Sequence, residues 1–240
     1  AYRPMGGYAR IATIVKQIRT ERQDHVLFCD CGDTLHGTYP ALKTQGQALI
    51  PIMNSLGLDA MTAHWEFAYG PEIFKQRAAE LNYPMLAINI YKKVTKEQLF
   101  PPFSIKEIGG LRIGLVGIAC NIVDKTMPPS YSEGLEFTLG RDELPPIIDI
   151  LRTQEHVDLI VLISHLGFPQ DLQLMAEVQG IDICLSGHTH NRLYKPAIQG
   201  KTVVIQSGCH GSFLGRLDLE IEEGNVVDYR HQLIEVEGNI

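Results

Sequence analysis

Four short runs in this sequence hold side chains that can ligate a metal: Gly32-Asp33-Thr34, Ala63-His64, Ser164-His165-Leu166-Gly167 and Ser186-Gly187-His188-Thr189-His190. The last is the most specific. Two imidazoles two residues apart, directly after an apolar run, face one metal cluster if the segment folds as a tight loop, and the glycine lets another backbone approach closely. A surface loop that happens to carry two histidines would have the same sequence. Asp33 after a glycine suits a turn or a helix cap, and its two oxygens also suit it to bridging two cations. A lone histidine at a strand end, such as His165, is commonly structural. Order and setting carry more weight than any single match. Each run follows a segment with strand character, and in open α/β sheets ligands sit outside the carboxyl ends of the strands. Such a set supports metal-assisted hydrolysis.

The elements that would present these groups are legible in the apolar pattern. Ile11, Ile14, Val15 and Ile18 have helical spacing within residues 8–22. Residues 26–29 read as a buried strand ending at Asp30. Residues 45–56 read as a helix, residues 59–62 as a short strand, and Pro71 suits the first turn of another helix. Residues 85–88 are strand-like. Residues 103–108 and 111–117 form a hairpin about Gly109-Gly110. Residues 142–156 read as helix, 159–163 as a buried strand, 170–178 as helix and 181–185 as strand. The remainder is mostly β, with turns at Gln199-Gly200 and Glu223-Gly224-Asn225. This alternation belongs to the α/β class. With no repeat, low-complexity tract or linker, one domain over residues 1–240 is expected.

Taken in order, G-D, a histidine loop at 64, S-H-x-G and G-H-x-H resemble the signature of the calcineurin-like metallophosphoesterase superfamily, collinear from Gly6 to about Glu222. The resemblance implies a four-layer α/β/β/α sandwich with mixed sheets and two divalent ions, Mn2+ or Zn2+, at the strand ends. Carried over by position, Asp33 is the bridging carboxylate, His165 and His188 hold the second ion, and His190 holds the first. Asn89 resembles a supporting asparagine of the 5′-nucleotidase branch.

Two departures from that pattern matter. Ala63-His64-Trp65-Glu66-Phe67-Ala68-Tyr69-Gly70 stands where 5′-nucleotidases have a G-N-H-E-F-D-Y-G-like stretch. His64 takes the place of an asparagine ligand and can still bind a metal. Trp65 takes the place of the histidine that helps the leaving group depart, and an indole cannot act as a general acid. This run, together with the stretch 207–216 that includes His210, resembles the SoxB family of sulfate thiol hydrolases. That likeness implies release of sulfate from a protein-bound cysteine S-thiosulfonate, with His64 at the reaction centre and His210 against the substrate oxyanion. A 5′-nucleotidase or general phosphoesterase is the alternative, and a catalytically impaired metal- or partner-binding domain is the second. The other departure is the D-x-H motif that opens the superfamily. Nothing ahead of Gly6-Gly7-Tyr8-Ala9-Arg10 is Asp or His. The expectation is therefore a catalytic domain without its first strand, with a weakened first metal site, and without a C-terminal substrate domain.

Composition narrows the partners. Lys and Arg total 21 against 28 Asp and Glu, a formal charge of −7, which disfavours a nucleic-acid polymer. An anionic small molecule or a sulfonated carrier protein remains compatible, because a bound cation dominates its local field. No stretch approaches the roughly 20 apolar residues of a membrane span. The start lacks the sections of a signal peptide, so the compartment is expected to be periplasmic if such a segment is removed and cytoplasmic otherwise. The five cysteines, Cys29, Cys31, Cys120, Cys184 and Cys209, are odd in number and lack C-x-x-C spacing. They read as small, mostly buried residues, Cys31 included despite its place beside Asp33. His36 reads as a loop residue near the site.

Overall fold

The computed structural model of the protein describes residues 6–23 and 25–236. Residues 1–5, where the expectation of an absent first strand falls, lie outside the described residues. Along the chain the elements are α1 (Tyr8–Glu21), β1 (Cys29–Asp30), α2 (Tyr39–Thr44), α3 (Ile50–Ser55), β2 (Ala60–Met61), α4 (Pro71–Glu80), β3 (Ile90–Lys92), β4 (Phe103–Ile108) and β5 (Leu111–Ile118). They continue with α5 (Val123–Thr126), β6 (Leu135–Phe137), α6 (Leu144–Asp149), β7 (Leu159–Ser164), α7 (Phe168–Glu177), β8 (Ile183–Ser186), β9 (Ala197–Gln199), β10 (Thr202–Ile205), β11 (Phe213–Glu222) and β12 (Asn225–Glu235).

A six-stranded mixed sheet in the order β4-β5-β7-β8-β10-β9 forms the centre. Its inner strands β5, β7, β8 and β10 are parallel, and the edge strands β4 and β9 run antiparallel to them. Parallel strands covered on both faces need apolar residues at every position, and the period of two divides them cleanly. Val116, Ile118, Ile160, Leu162, Cys184 and Val204 face one side, packed with Leu144, Ile148, Leu174 and Met175 of α6 and α7. Ile113, Leu115, Leu159, Val161, Ile163, Ile183 and Val203 face the other. There they meet Ala60 and Leu86 with Leu217, Leu219, Ile221 and Val226 of the β11–β12 hairpin. Outside this second β layer lie α1, through Ile11, Ile14 and Val15, and α2 to α4, through Ala41, Ile50, Met53 and Phe74. The fold is thus the α/β class with mixed sheets in an α/β/β/α stack, as the resemblance implied. No described helix is long and apolar enough to cross a membrane.

Three expected elements differ, two for hydrogen-bonding reasons and one for a backbone reason. Strand pairing begins only at Cys29, because the Phe28 amide is taken by the Asp59 carboxylate at 2.9 Å, and residues 26–29 are half-buried. The helix expected over 45–56 opens late. Gln45 and Gly46 sit at φ 51° and 82°, outside helical geometry, so a 3-10 turn at Gln47–Leu49 leads into α3. Residues 85–88 are buried but form no continuous ladder, since the amides of Leu86, Ala87 and Ile88 donate to Met61, Pro101 and Gly117 in turn.

Candidate metal centre

The parity of the central strands decides what reaches their ends. Ser164 closes β7 and Ser186 closes β8, and both continue the side that faces α7. The next coordinating residues, His165 and His188, therefore emerge at the carboxyl ends of two paired strands. Asp33 arrives on the loop after β1 and His64 on the loop after β2, which is β1's parallel partner. Gly32 makes this approach possible. It has φ 95°, and a Cβ there would lie 2.9 Å from the Thr62 carbonyl and 3.1 Å from the His165 ring.

The four side chains converge. Asp33 Oδ1 is 3.1 Å from His64 Nδ1, and Asp33 Oδ2 is 3.2 Å from His165 Nε2. The rings of His64, His165 and His188 lie 4.9 to 5.3 Å apart, centroid to centroid. One donor atom from each of the four residues falls within 4.8 Å of all the others. His64 Nδ1 and His165 Nε2 are buried without a hydrogen-bond partner, although each has an Asp33 oxygen close by. Buried polar atoms are normally satisfied. Lone pairs that crowd together without pairing fit a cation placed between them. Three imidazole nitrogens and one carboxylate oxygen form a borderline donor set suited to a divalent metal ion.

The surroundings prepare these donors. His165 Nδ1 donates to the Cys31 carbonyl, which fixes the proton on Nδ1 and leaves Nε2 free to coordinate. Burial alone would raise the Asp33 carboxyl. The His165 and His64 imidazoles against its two oxygens outweigh burial and hold it well below the usual carboxylate range. Burial alone would lower His165, but the Asp33 carboxylate and the Cys31 carbonyl hold it above its ordinary value. Burial, with the neighbouring His165 and His64, pushes His188 down to about 4, so its imidazole is neutral at pH 7. The Cys31 thiol is pushed far up by burial and donates to the Leu185 carbonyl at 3.3 Å, so it is a neutral packing group.

Three further residues hold the centre, and none was picked out from the sequence. The buried Glu66 carboxylate accepts from the amides of Thr34 at 2.6 Å, His64 at 2.8 Å, Leu35 at 3.2 Å and Asp33 at 3.3 Å. It thereby joins the Asp33 loop to the His64 loop. Gln206, 2% exposed, braces the loop that carries His188 and His190. Its Nε2 donates to Ser186 Oγ at 2.9 Å and to the Gly187 carbonyl, while its Oε1 accepts from Thr189 Oγ1 at 3.2 Å and from the Asn191 amide. Asp171 of α7 accepts from Ser164 Oγ at 2.6 Å and faces the Ser186 hydroxyl. Asp33, His188, His190 and His210 all adopt positive φ, between 57° and 67°. Strain of this kind persists only where surrounding bonds impose it.

The remaining sequence candidates lie around this cluster. His190 and His210 are exposed and pack edge to face on each other, 5.8 Å between centroids, outside the four-donor set. Asn89 is buried away from the cluster and ties Ala119 and Thr138 together through their backbones. Trp65 is 38% exposed, its ring 5.7 Å from that of His64, and its amide donates to Asp33 Oδ1 at 3.0 Å. His36 stacks on Trp65, 5.1 Å between centroids with the planes 20° apart.

No family model matches the chain. It is 33% identical to the 5′-nucleotidase of Bos taurus over 95% of its own length and 43% of that protein. Among solved structures it is similar to a Thermus thermophilus sulfate thiohydrolase, SoxB, with a TM-score of 0.92 and 30% identity over 97% of this chain and 43% of that one. It also shares its fold with the Bacillus subtilis calcineurin-like phosphoesterase YfkN, with a TM-score of 0.84, 21% identity, and coverage of 100% of this chain and 85% of that one. The chain spans less than half the length of the bovine, Vibrio cholerae and mouse 5′-nucleotidases it matches.

Proposed function

Since the chain belongs to the 5′-nucleotidase and SoxB branch of the calcineurin-like metallophosphoesterase superfamily, we propose that it is a metal-dependent hydrolase that releases sulfate from a protein-bound cysteine S-thiosulfonate. The single observation that carries this reading is Trp65. The position next to His64 holds an exposed indole, and an indole offers the leaving group no acid.

A cation held by Asp33, His64, His165 and His188 would supply Lewis-acid polarisation of a tetrahedral sulfur or phosphorus centre. Water adds its oxygen to the sulfonate sulfur and the sulfur–sulfur bond breaks. The products are sulfate and a persulfide anion, with the water protons passing to solvent. A thiol has a pKa near 8.5, so a sulfur leaving group departs as an anion with little proton help. An alkoxide leaving from a phosphate ester has no such ease. His210 is the proposed contact for the substrate oxyanion, His190 packed against it is proposed for a first metal ion, and Asp33 and His64 orient the reacting centre.

The second reading, a 5′-nucleotidase, is favoured by the 33% identity to the bovine enzyme. Comparing the Mn2+-supplemented protein on an S-sulfonated cysteinyl peptide persulfide, a nucleoside 5′-monophosphate and an aryl phosphate separates the two. Sulfate release faster than either phosphate release is expected. Much faster nucleotide turnover would overturn the proposal.

A further inference from the structure

An open cavity of about 410 Å³ is lined in part by His36, the ring that stacks on Trp65. Its walls include His36, Leu42, Gln45, Tyr69 and Tyr131, and none of its lining residues is Asp, Glu, Lys or Arg. A continuous series of rings connects it to the centre. Tyr69 tilts against His36 at 5.6 Å, His36 stacks on Trp65 at 5.1 Å, and Trp65 lies 5.7 Å from His64. The Tyr69 hydroxyl is spent on the Leu35 carbonyl at 2.9 Å, so Tyr69 presents a ring and not a free donor. The cavity is at the small end of ligand sites, which are typically a few hundred Å³.

These features fix what can enter. A substrate whose tetrahedral head sits at the cluster must lay the atoms beyond its scissile bond across Trp65 or away from it. Beyond Trp65 they meet uncharged walls: two tyrosine rings, the His36 imidazole stacked on Trp65, and the exposed Leu42 side chain. Offset and edge-to-face packing on such rings favours a flat aromatic group over a charged or strongly hydrated one. We infer that this cavity is a leaving-group subsite that takes a flat, uncharged aromatic group on the departing side of the scissile bond, such as an aromatic side chain beside the modified cysteine of the carrier. The inference rests on the hydrolase reading above for its reaction, but not for its binding site.

Trp65 is the only tryptophan in the chain and stacks on the lining His36 ring, so its fluorescence reports on what the cavity binds. The test has two arms. In the first, neutral 4-nitrobenzyl alcohol is titrated into the metal-free protein. Saturable quenching of Trp65 is expected, weakened at least about fivefold by Tyr131→Ala and by Leu42→Glu. Leu42 is half exposed, so its variant guards against a folding defect in the other. In the second arm, the Mn2+-supplemented protein is given the thiosulfonates benzyl–S–S–SO3− and methyl–S–S–SO3−, which lose sulfate and a persulfide as the proposed substrate does. A KM roughly tenfold lower for the benzyl compound is expected, with the ratio collapsing toward one in both variants. Quenching that never saturates, or that both variants leave unchanged, overturns the subsite. Sulfate release with equal KM for the two compounds also overturns it while sparing the hydrolase reading. Saturable, variant-sensitive quenching without sulfate release from either compound leaves the subsite standing and overturns the thiosulfonate reaction.

Discussion

Ser164 donates its hydroxyl hydrogen to the Asp171 carboxylate at 2.6 Å, one residue before His165 enters the metal centre. Asp171 is fully buried, its Oδ2 has no partner, and Ser186, two residues before His188, faces the same group. The acid thus sits between the strand ends that carry two of the four donors. Burial, the largest influence, pushes its carboxyl up to about 6 against the pull of Ser164 and Ser186. The folded state therefore binds this proton more tightly than the unfolded chain, whose Asp titrates near 3.9. The contribution is fully present below about pH 4 and is lost as pH rises through about 6. Asp171→Asn keeps an oxygen for Ser164 and removes the titration. Urea denaturation at pH 4.5 and at pH 7.5 should show the variant gaining about 2 kcal/mol on wild type between the two values. A parallel offset at both would contradict this.

Gln206 makes four hydrogen bonds that all end within residues 186–191. Gln206→Ala frees a loop in which His188 and His190 are held at φ 67° and 60°. The loss should appear in metal affinity before it appears in fold, because the ligand ring loses its orientation. Mn2+ binding measured by electron paramagnetic resonance should weaken about 10- to 100-fold, with circular dichroism unchanged.

How much of this is legible in the sequence depends on the kind of interaction. Asp33, His64, His165 and His188 were found because coordinating side chains after strands are a local pattern, and the strands themselves obey a period of two. Glu66, Gln206 and Asp171 were missed because what they do is long-range: Glu66 bonds across 33 residues to Asp33, and Gln206 across 20 to Ser186. Asp171 did leave a trace. It shares helical spacing with Leu174, Met175 and Val178, all buried, so an acid on the apolar face of α7 was visible in the pattern. Strand bounds at 26–29 and 85–88 were misjudged because pairing depends on which partner accepts each amide, and hydropathy does not encode that.

Removal of metal should separate the cluster from a merely structural polar core. Wild-type protein should gain about 2.7 kcal/mol of stability at a Mn2+ concentration 100 times its Kd, and lose it with chelator. In Asp33→Asn the oxygens facing His64 and His165 become one neutral oxygen and one amide. Thermal melts of the variant should then be nearly insensitive to both Mn2+ and chelator, with the Trp65 amide still able to bond the side chain.

The last prediction concerns Trp65 itself. Trp65→His places an imidazole beside His64, where the ring now lies 5.7 Å away, and supplies a proton donor for an oxygen leaving group. General acid catalysis is worth about 10²- to 10⁴-fold when well placed, so hydrolysis of an alkyl phosphate should rise at least about tenfold with Mn2+ present. Sulfate release from a thiosulfonate should not rise with it, because a sulfur anion already departs unaided near neutral pH. The ratio of the two rates is the measurement. A rise common to both substrates would mean that Trp65 acts by restricting access to the centre, and the argument from leaving-group acidity would fail.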